Sequence, residues 1–364
     1  MAGYDRADLE VVTAHADSRA ELPGVGIRRR EQREELEDLT LAPGATRATG
    51  AGNRALAEEP DAQRTCFERD RDRILHSTAF RRLSGKTQVF VFPDDHQRTR
   101  LTHALEVAQV ARSISRAIGL NGALTEAIAI GHDCGHGPGG HASEDALHPY
   151  VEEGYDHAIW GANVVLEPLN LCRETLDGIR NHSWSLPAPA TPEGEVVSWA
   201  DRIAYVCHDF EDAVSAGVVS PDDLPPLVRD RCGTTRRSQL AAFIVAVCDA
   251  VEATGRIGML EPMAEALGAF RRFNYEEIYL RPASVEQGES VVKLLRTLVE
   301  AYGSEPSLLP PERNAATLAP GSTEALRAAV TYVGGMTDRF ACAQAVQHLG
   351  YDRDALPRGI DLLS

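Results

Sequence analysis

Residues 124–144 read LTEAIAIGHDCGHGPGGHASE. From Leu124 to Asp133 the segment is apolar nearly all round, which predicts a buried helix. It ends in the adjacent pair His132 and Asp133, just before a glycine-rich loop. Side chains at such a helix end can turn toward a common centre, so partners are to be sought on either side of it.

Upstream, residues 101–118 (LTHALEVAQVARSISRAI) carry apolar residues at helical spacing, and His103 shares a face with Val107, Val110 and Ile114. That face points inward. Downstream, a third helix is predicted from Thr191, with Pro192 at its first position, through Glu195 to about Ala213. Val197, Asp201, Ala204 and His208 lie on one stripe of it, which sets a carboxylate among core-facing residues. A buried carboxylate is costly unless it is paired or bound to metal. His103, His132, Asp133 and Asp201 together offer two neutral imidazoles and two carboxylates to one divalent ion. Mixed nitrogen and oxygen donors with open positions suit Mn, Mg, Fe, Co or Zn in a catalytic site. The rival reading makes each a satisfied core residue, and for any single histidine that is the better choice. Four polar groups aimed inward from three apolar helices favour the metal.

The chain has 364 residues and 43% hydrophobic content, enough to fill a sizeable core. Its longest apolar runs, such as Ala241 to Val247, are far short of the roughly 20 residues a bilayer span needs. The start, Met1 to Glu10, is polar and acidic, without a secretory segment, so a cytoplasmic location is expected. Seven cysteines without a CxxC pair argue against a disulfide framework or a cysteine zinc site. A formal charge of −17 disfavours nucleic-acid binding through bulk electrostatics, so a polyanionic ligand needs a local basic pocket. Lys86 and Lys293 are the only lysines, which makes Lys86 a candidate for a point charge in such a pocket.

Residues from about Leu41 to Asp61 are rich in Ala, Gly, Thr and Pro and read as a linker or mobile segment. The expected organisation is an N-terminal segment at 1–62, a catalytic core at 63–215, and a helical C-terminal part at 216–364 packed on that core. Ten of the twelve histidines fall between His76 and His208, inside the core segment. Helical stretches are predicted around Ser238 to Val251, Pro262 to Ile278 and Val285 to Tyr302. No alternating β pattern recurs, so the fold class is all-α. The alternating charges of Glu68 to Arg73 read as a solvated helix face, and Cys134 as buried filler rather than a nucleophile.

Four blocks then carry a family resemblance: FERDRDRILHSTAFRRLSGKTQVF from Phe67, RTRLTHALEVAQVARSI from Arg98, GHDCGHGPGGHASE from Gly131 and ADRIAYVCHDFEDA from Ala200. A later block, FNYEEIYLRP from Phe273, is also similar. With the order His103, His132-Asp133, Asp201, the chain resembles the bacterial dGTPase-like deoxynucleoside triphosphate triphosphohydrolases of the HD superfamily. The resemblance implies a helical bundle around a metal site with additional C-terminal helices. It makes His103, His132, Asp133 and Asp201 the metal ligands and His141 and Glu144 the catalytic pair. It assigns Gln88 and Tyr205 to the deoxyribose and Arg100 to phosphate.

Lys86, with Arg81 or Arg82, is a further candidate for phosphate oxygens. His136 and His157 either line the pocket or hydrogen-bond within the loop. Family members are commonly oligomers with regulatory sites between subunits, so a homo-oligomer and a nucleotide activator are expected partners. There are departures. Gly137-Pro138-Gly139-Gly140 stands where the family usually has a proline pair and a phenylalanine, which implies a more mobile loop around His141. Arg202 stands where many members have a second aspartate, and Cys134 where an aliphatic residue is usual. The implied activity is metal-dependent hydrolysis of a dNTP to deoxynucleoside and inorganic triphosphate. Its rivals are another HD phosphohydrolase, acting on a monophosphate, cyclic or alarmone nucleotide, and a non-catalytic nucleotide sensor that keeps the metal site.

Overall fold

Local capping decides where the site-bearing helices begin. The Asn121 side chain accepts from the backbone N–H groups of Ala123 and Leu124, and Thr191 accepts from Gly194, with Pro192 at the first helical position. Upstream, Thr65 and Glu68 form a reciprocal capping box. The computed structural model describes residues 11–19, 21–93, 96–311 and 317–357.

In chain order the helices are α1 (Arg30–Thr40), α2 (Cys66–His76), α3 (Thr78–Arg82), α4 (Arg100–Ile118), α5 (Gly122–Gly131), α6 (Ala142–Leu147), α7 (His157–Trp160) and α8 (Arg173–Arg180). They continue as α9 (Pro192–Ser215), α10 (Pro226–Cys232), α11 (Arg236–Thr254), α12 (Glu261–Asn274), α13 (Pro282–Ser304), α14 (Thr323–Gly334) and α15 (Asp338–Leu349). Among the described residues there is no β-strand, only isolated bridges pairing Arg54 with Cys172 and Thr87 with Thr99. The fold is all-α, as the sequence implies. No described helix is long and apolar enough to cross a membrane.

Among the described residues the helices share two main cores, with a small third cluster around Phe90, Ala213 and Ile278. In the first, α4, α5 and α9 pack together through Val107, Val110, Ile114, Leu124, Ile128, Val197 and Ala204, joined by residues of α2, α8 and α10 to α12. In the second, α6 packs on α13 to α15 through Ala146, Leu147, Leu294, Leu298, Val330 and Ala341. Helices α10 to α12 pack with the first core, while α6 and the following residues to Trp160 pack with the second.

Two expectations are corrected. Residues 41–61 lack regular secondary structure, as their composition implies, yet they are not a loose linker. Arg54 reaches a buried ion pair with Asp70 at 2.6 Å, and Glu193 of α9 accepts from the Thr46 amide at 3.0 Å and the Thr46 hydroxyl at 2.7 Å. The same ion pair corrects the second expectation, because Asp70 belongs to the supposedly solvated run 68–73. Its Oδ2 also accepts from the Cys172 amide and the Thr175 hydroxyl, so the buried carboxylate has an ion-pair partner on one oxygen and hydrogen bonds on the other.

Candidate active site

α4, the end of α5 and α9 bring His103, His132, Asp133 and Asp201 together, at the C-terminal end of the most apolar helix. His103 Nε2 lies 3.0 Å from Asp201 Oδ1, His132 Nε2 lies 3.6 Å from the same oxygen, and His132 Nε2 lies 3.5 Å from Asp133 Oδ1. His132 Nδ1 donates to the Ala129 carbonyl at 2.6 Å, and its buried Nε2 has no hydrogen-bond partner among the described residues. That nitrogen faces two carboxylates, and the position demands a positive charge, a proton or a metal ion. Burial would push the His132 imidazole down, but Asp133 and Asp201 more than offset it and hold it up at about 9. Burial would likewise raise both acids. The Arg100 guanidinium beside Asp133 and the imidazoles of His103 and His132 beside Asp201 hold them well below the ordinary carboxylate range. This donor set fits a divalent ion.

A second histidine layer adjoins it. His141 Nδ1 donates to Glu144 Oε1 at 2.8 Å, and His157 Nδ1 meets the same oxygen at 2.9 Å. Burial alone would raise Glu144, but these two contacts keep it strongly ionised. His136 stacks on His157 with ring centroids 3.7 Å apart, and its Nε2 lies 3.1 Å from Asp133 Oδ1. Both histidines therefore line the pocket rather than serve the loop alone.

All these groups except His132 line one cavity of about 660 Å³, together with Gln88, Arg100, Tyr205, Arg202, Arg271 and Arg281. Arg202 lies over the Trp184 ring at 3.5 Å, and Arg271 Nε donates to the Tyr205 hydroxyl at 3.2 Å. The buried Gln88 Oε1 has no partner among the described residues.

Lys86 needs correction as a ligand contact. It is buried outside the cavity, where its ammonium donates to the carbonyl oxygens of His136 and Gly334. Burial pushes that ammonium down to about 8. Arg81 and Arg82 also stay out of the cavity, bonding the His76 and Gly335 carbonyls respectively. Cys134 is filler, as expected: burial pushes its thiol up to about 12.

Sequence reading missed His182, Trp184, Asp209, Arg271 and Tyr279, all lining the cavity. For Asp209 a signal existed, since Asp201, Tyr205 and Asp209 recur at every fourth position of α9. His208, placed on the stripe instead, turns away to Glu106 at 3.2 Å. Burial pushes the Asp209 carboxyl up to about 7, and the Tyr279 hydroxyl donates to it at 2.5 Å.

The glycine loop is clamped from the C-terminal part. Gly139 and Gly140 both have left-handed backbones, and a Cβ at Gly139 would lie 2.4 Å from Val291 Cγ1. Asp338, at the start of α15, accepts from the Gly139 amide at 2.9 Å through one oxygen. Through the other it accepts from the Thr87 amide at 2.9 Å and the Thr87 hydroxyl at 2.5 Å. Asp338→Ala would leave these buried donors unsatisfied, at a cost of about 1–3 kcal/mol. We expect faster amide exchange across residues 136–141 and a kcat lowered by about tenfold, the equivalent of ~1.4 kcal/mol. Unchanged exchange there would rule out the clamp.

Comparison with known families places this geometry. The HD domain family matches residues 100–206 and the Phosphohydrolase-associated domain matches residues 257–347. The chain is 40% identical over 319 residues to the deoxyguanosinetriphosphate triphosphohydrolase-like protein of Caldanaerobacter subterraneus subsp. tengcongensis, covering 86% of this chain and 93% of that one. It is 37% identical over 328 residues to the protein of the same description from Clostridium perfringens strain 13, covering 85% and 94%. With Parvibaculum lavamentivorans the identity is 34% over 372 residues, covering 82% and 94%. Its helical fold, its histidine–aspartate cluster and this similarity over most of its length agree: the chain belongs to the deoxyguanosinetriphosphate triphosphohydrolase-like family of HD-domain phosphohydrolases.

Proposed function

We propose that this protein hydrolyses deoxynucleoside triphosphates to deoxynucleoside and inorganic triphosphate, with a divalent ion held by His103, His132, Asp133 and Asp201. The observation that carries the reading is the opening of this cluster onto a cavity walled by Arg100, Arg202, Arg271 and Arg281, in a chain of net charge −17. A triphosphate needs such a local basic lining. When bound, the ion supplies charge neutralisation at the α-phosphate and a more acidic water.

The chain's own groups do the rest. His141, set by Glu144 on the cavity wall, is placed to move a proton to the departing 5′-oxygen or from the attacking water. Arg100 is held by Asp133 at 2.7 Å, with its Nε buried and free of hydrogen bonds among the described residues. It can therefore receive a phosphate oxygen without leaving its carboxylate. Gln88 Oε1 is an acceptor awaiting a donor, which suits a sugar hydroxyl.

The test is to incubate the purified protein with each dNTP, singly and in mixtures that allow for an activating nucleotide, with Mn²⁺ or Mg²⁺, and to identify the phosphate product. Tripolyphosphate supports the reading; orthophosphate or pyrophosphate alone sinks it. Substrate choice gives a second check. A pocket closed around C2′ by Tyr205 and Gln88 leaves the extra ribose hydroxyl without space or partner, so a ribonucleotide should be poorer by about 10²-fold or more in kcat/KM. Equal values for a dNTP and its ribo counterpart would remove the sugar assignment.

A further inference from the structure

Trp184 stands in the connection between α8 and α9, where it lines the cavity and is 45% exposed. Three contacts fix its ring. The indole N–H donates to the Ser198 carbonyl at 3.1 Å, the Trp199 ring meets it at a steep angle with centroids 4.7 Å apart, and the Arg202 guanidinium lies over its face, 3.5 Å from the ring centre. Ser198 and Arg202 are one turn apart on α9, so the indole is pinned to the helix at one position and carries the side chain of the next on the same face. The other arginines of the cavity wall are each tied by a hydrogen bond: Arg100 to Asp133, Arg271 to the Tyr205 hydroxyl and Arg281 to the Ser284 hydroxyl. Arg202 differs. Among the described residues no carboxylate pairs with it, and its buried Nε has no hydrogen bond. A half-buried cation without a counter-ion is costly, and the aromatic face offsets part of that cost. It does so without using the N–H groups of the guanidinium edge, which stay available to a ligand.

We propose that Trp184 is a positioning residue for substrate binding, whose ring face holds the Arg202 guanidinium in place and uncommitted, so that a phosphoryl group entering the cavity meets a preset fork of donors. This deepens the proposed function and rests on the triphosphate ligand of that reading. Trp184 acts through Arg202 and need not touch the ligand itself. An arginine side chain gives up rotamer freedom when it binds an anion, and stacking removes that freedom beforehand, which raises affinity without a new contact to the ligand. A carboxylate in the place of the ring would hold Arg202 as firmly, but it would occupy the same N–H groups and cancel the charge that the phosphate needs. The residue types agree with this division of labour. Arginine offers a flat face to stack and a planar edge to donate, whereas a lysine ammonium at 202 would have no such face.

The test is a double-mutant cycle on the full chain, with the Kd of inorganic tripolyphosphate measured by calorimetric titration at a fixed free Mn²⁺ concentration. Trp184→Leu keeps apolar bulk but removes the π face, and should weaken tripolyphosphate by about three- to thirtyfold. Trp184→Phe keeps a ring and should stay within about threefold of the wild type. Arg202→Met should weaken binding by itself, and adding Trp184→Leu to it should cost nothing further, since the ring then has no cation to hold. Melting temperatures check that each variant folds. An unchanged Kd in Trp184→Leu, equal losses in Trp184→Leu and Trp184→Phe, or additive losses in the double variant overturns the inference, because the ring then only packs the connection between α8 and α9. A loss with a dNTP but none with tripolyphosphate also overturns it and gives the ring to the base. Each of these outcomes leaves the proposed function standing. Absence of tripolyphosphate binding in the wild type removes this inference together with the triphosphate ligand. A coupled Trp184–Arg202 pair in a protein that releases only orthophosphate from every dNTP supports the positioning role and refutes the proposed reaction.

Discussion

Asp201→Ala is expected to fold, to lose about one metal ion per chain, and to fall in kcat/KM by about 10³-fold or more. Asp201 is the carboxylate that α9 contributes to the cluster, and one of its oxygens serves both His103 and His132, at 3.0 and 3.6 Å. Removing it takes away the acidic partner that His103 and His132 share. Lewis-acid and water-activating contributions of an ion amount to several kcal/mol of barrier, and each 1.36 kcal/mol is a factor of ten. Folding should survive, because Asp201 is partly solvent-accessible beside the cavity, whereas Val197 and Ala204 on either side remain in the core. His132→Ala is the companion variant, removing a fully buried donor from the end of α5. Elemental analysis and circular dichroism on both variants decide the matter. Full metal occupancy in both would refute the ligand assignment.

The second large effect separates chemistry from binding. His141→Ala should keep its metal and bind dNTP with near-normal affinity, yet lose about 10²–10⁴ in kcat, or roughly 3–5 kcal/mol. The imidazole is 75% exposed, so its removal leaves no cavity in the core and little effect on stability. Glu144 sharpens the experiment. If it only oriented His141, the double variant would match His141→Ala. Because Glu144 also accepts from His157, the double variant is expected to fall further, by about tenfold. A near-normal kcat in His141→Ala would make the loop histidine structural and leave His136, stacked on His157, as the next proton carrier.

The three helices that carry His103, His132-Asp133 and Asp201 were legible because each has a periodic or continuous apolar pattern, and an odd polar residue on a core face must have a reason. Proline at 192 and the threonine before it fixed the start of α9 by local chemistry alone. The role of Lys86 was not legible. Rarity suggested a point charge for a ligand, while the fold places it under carbonyls of His136 and Gly334, 50 and 248 positions away in sequence. His182 was hidden for the same reason, since neither periodicity nor a short motif marks a single residue after a helix.

The chain's local patterns determined its all-α class, its site-bearing helices and the inward aim of four polar groups, because helix formation and burial depend on neighbours three and four positions apart. Tertiary structure alone decided which polar groups meet. Asp338 reaches the glycine loop across 199 positions, and Arg54 turns an apparent linker into a strap by pairing with Asp70. His182 likewise meets His157 from a different helix end. Such contacts depend on how whole helices pack, and a buried polar atom takes whichever partner packing brings within about 3 Å, at any distance along the sequence.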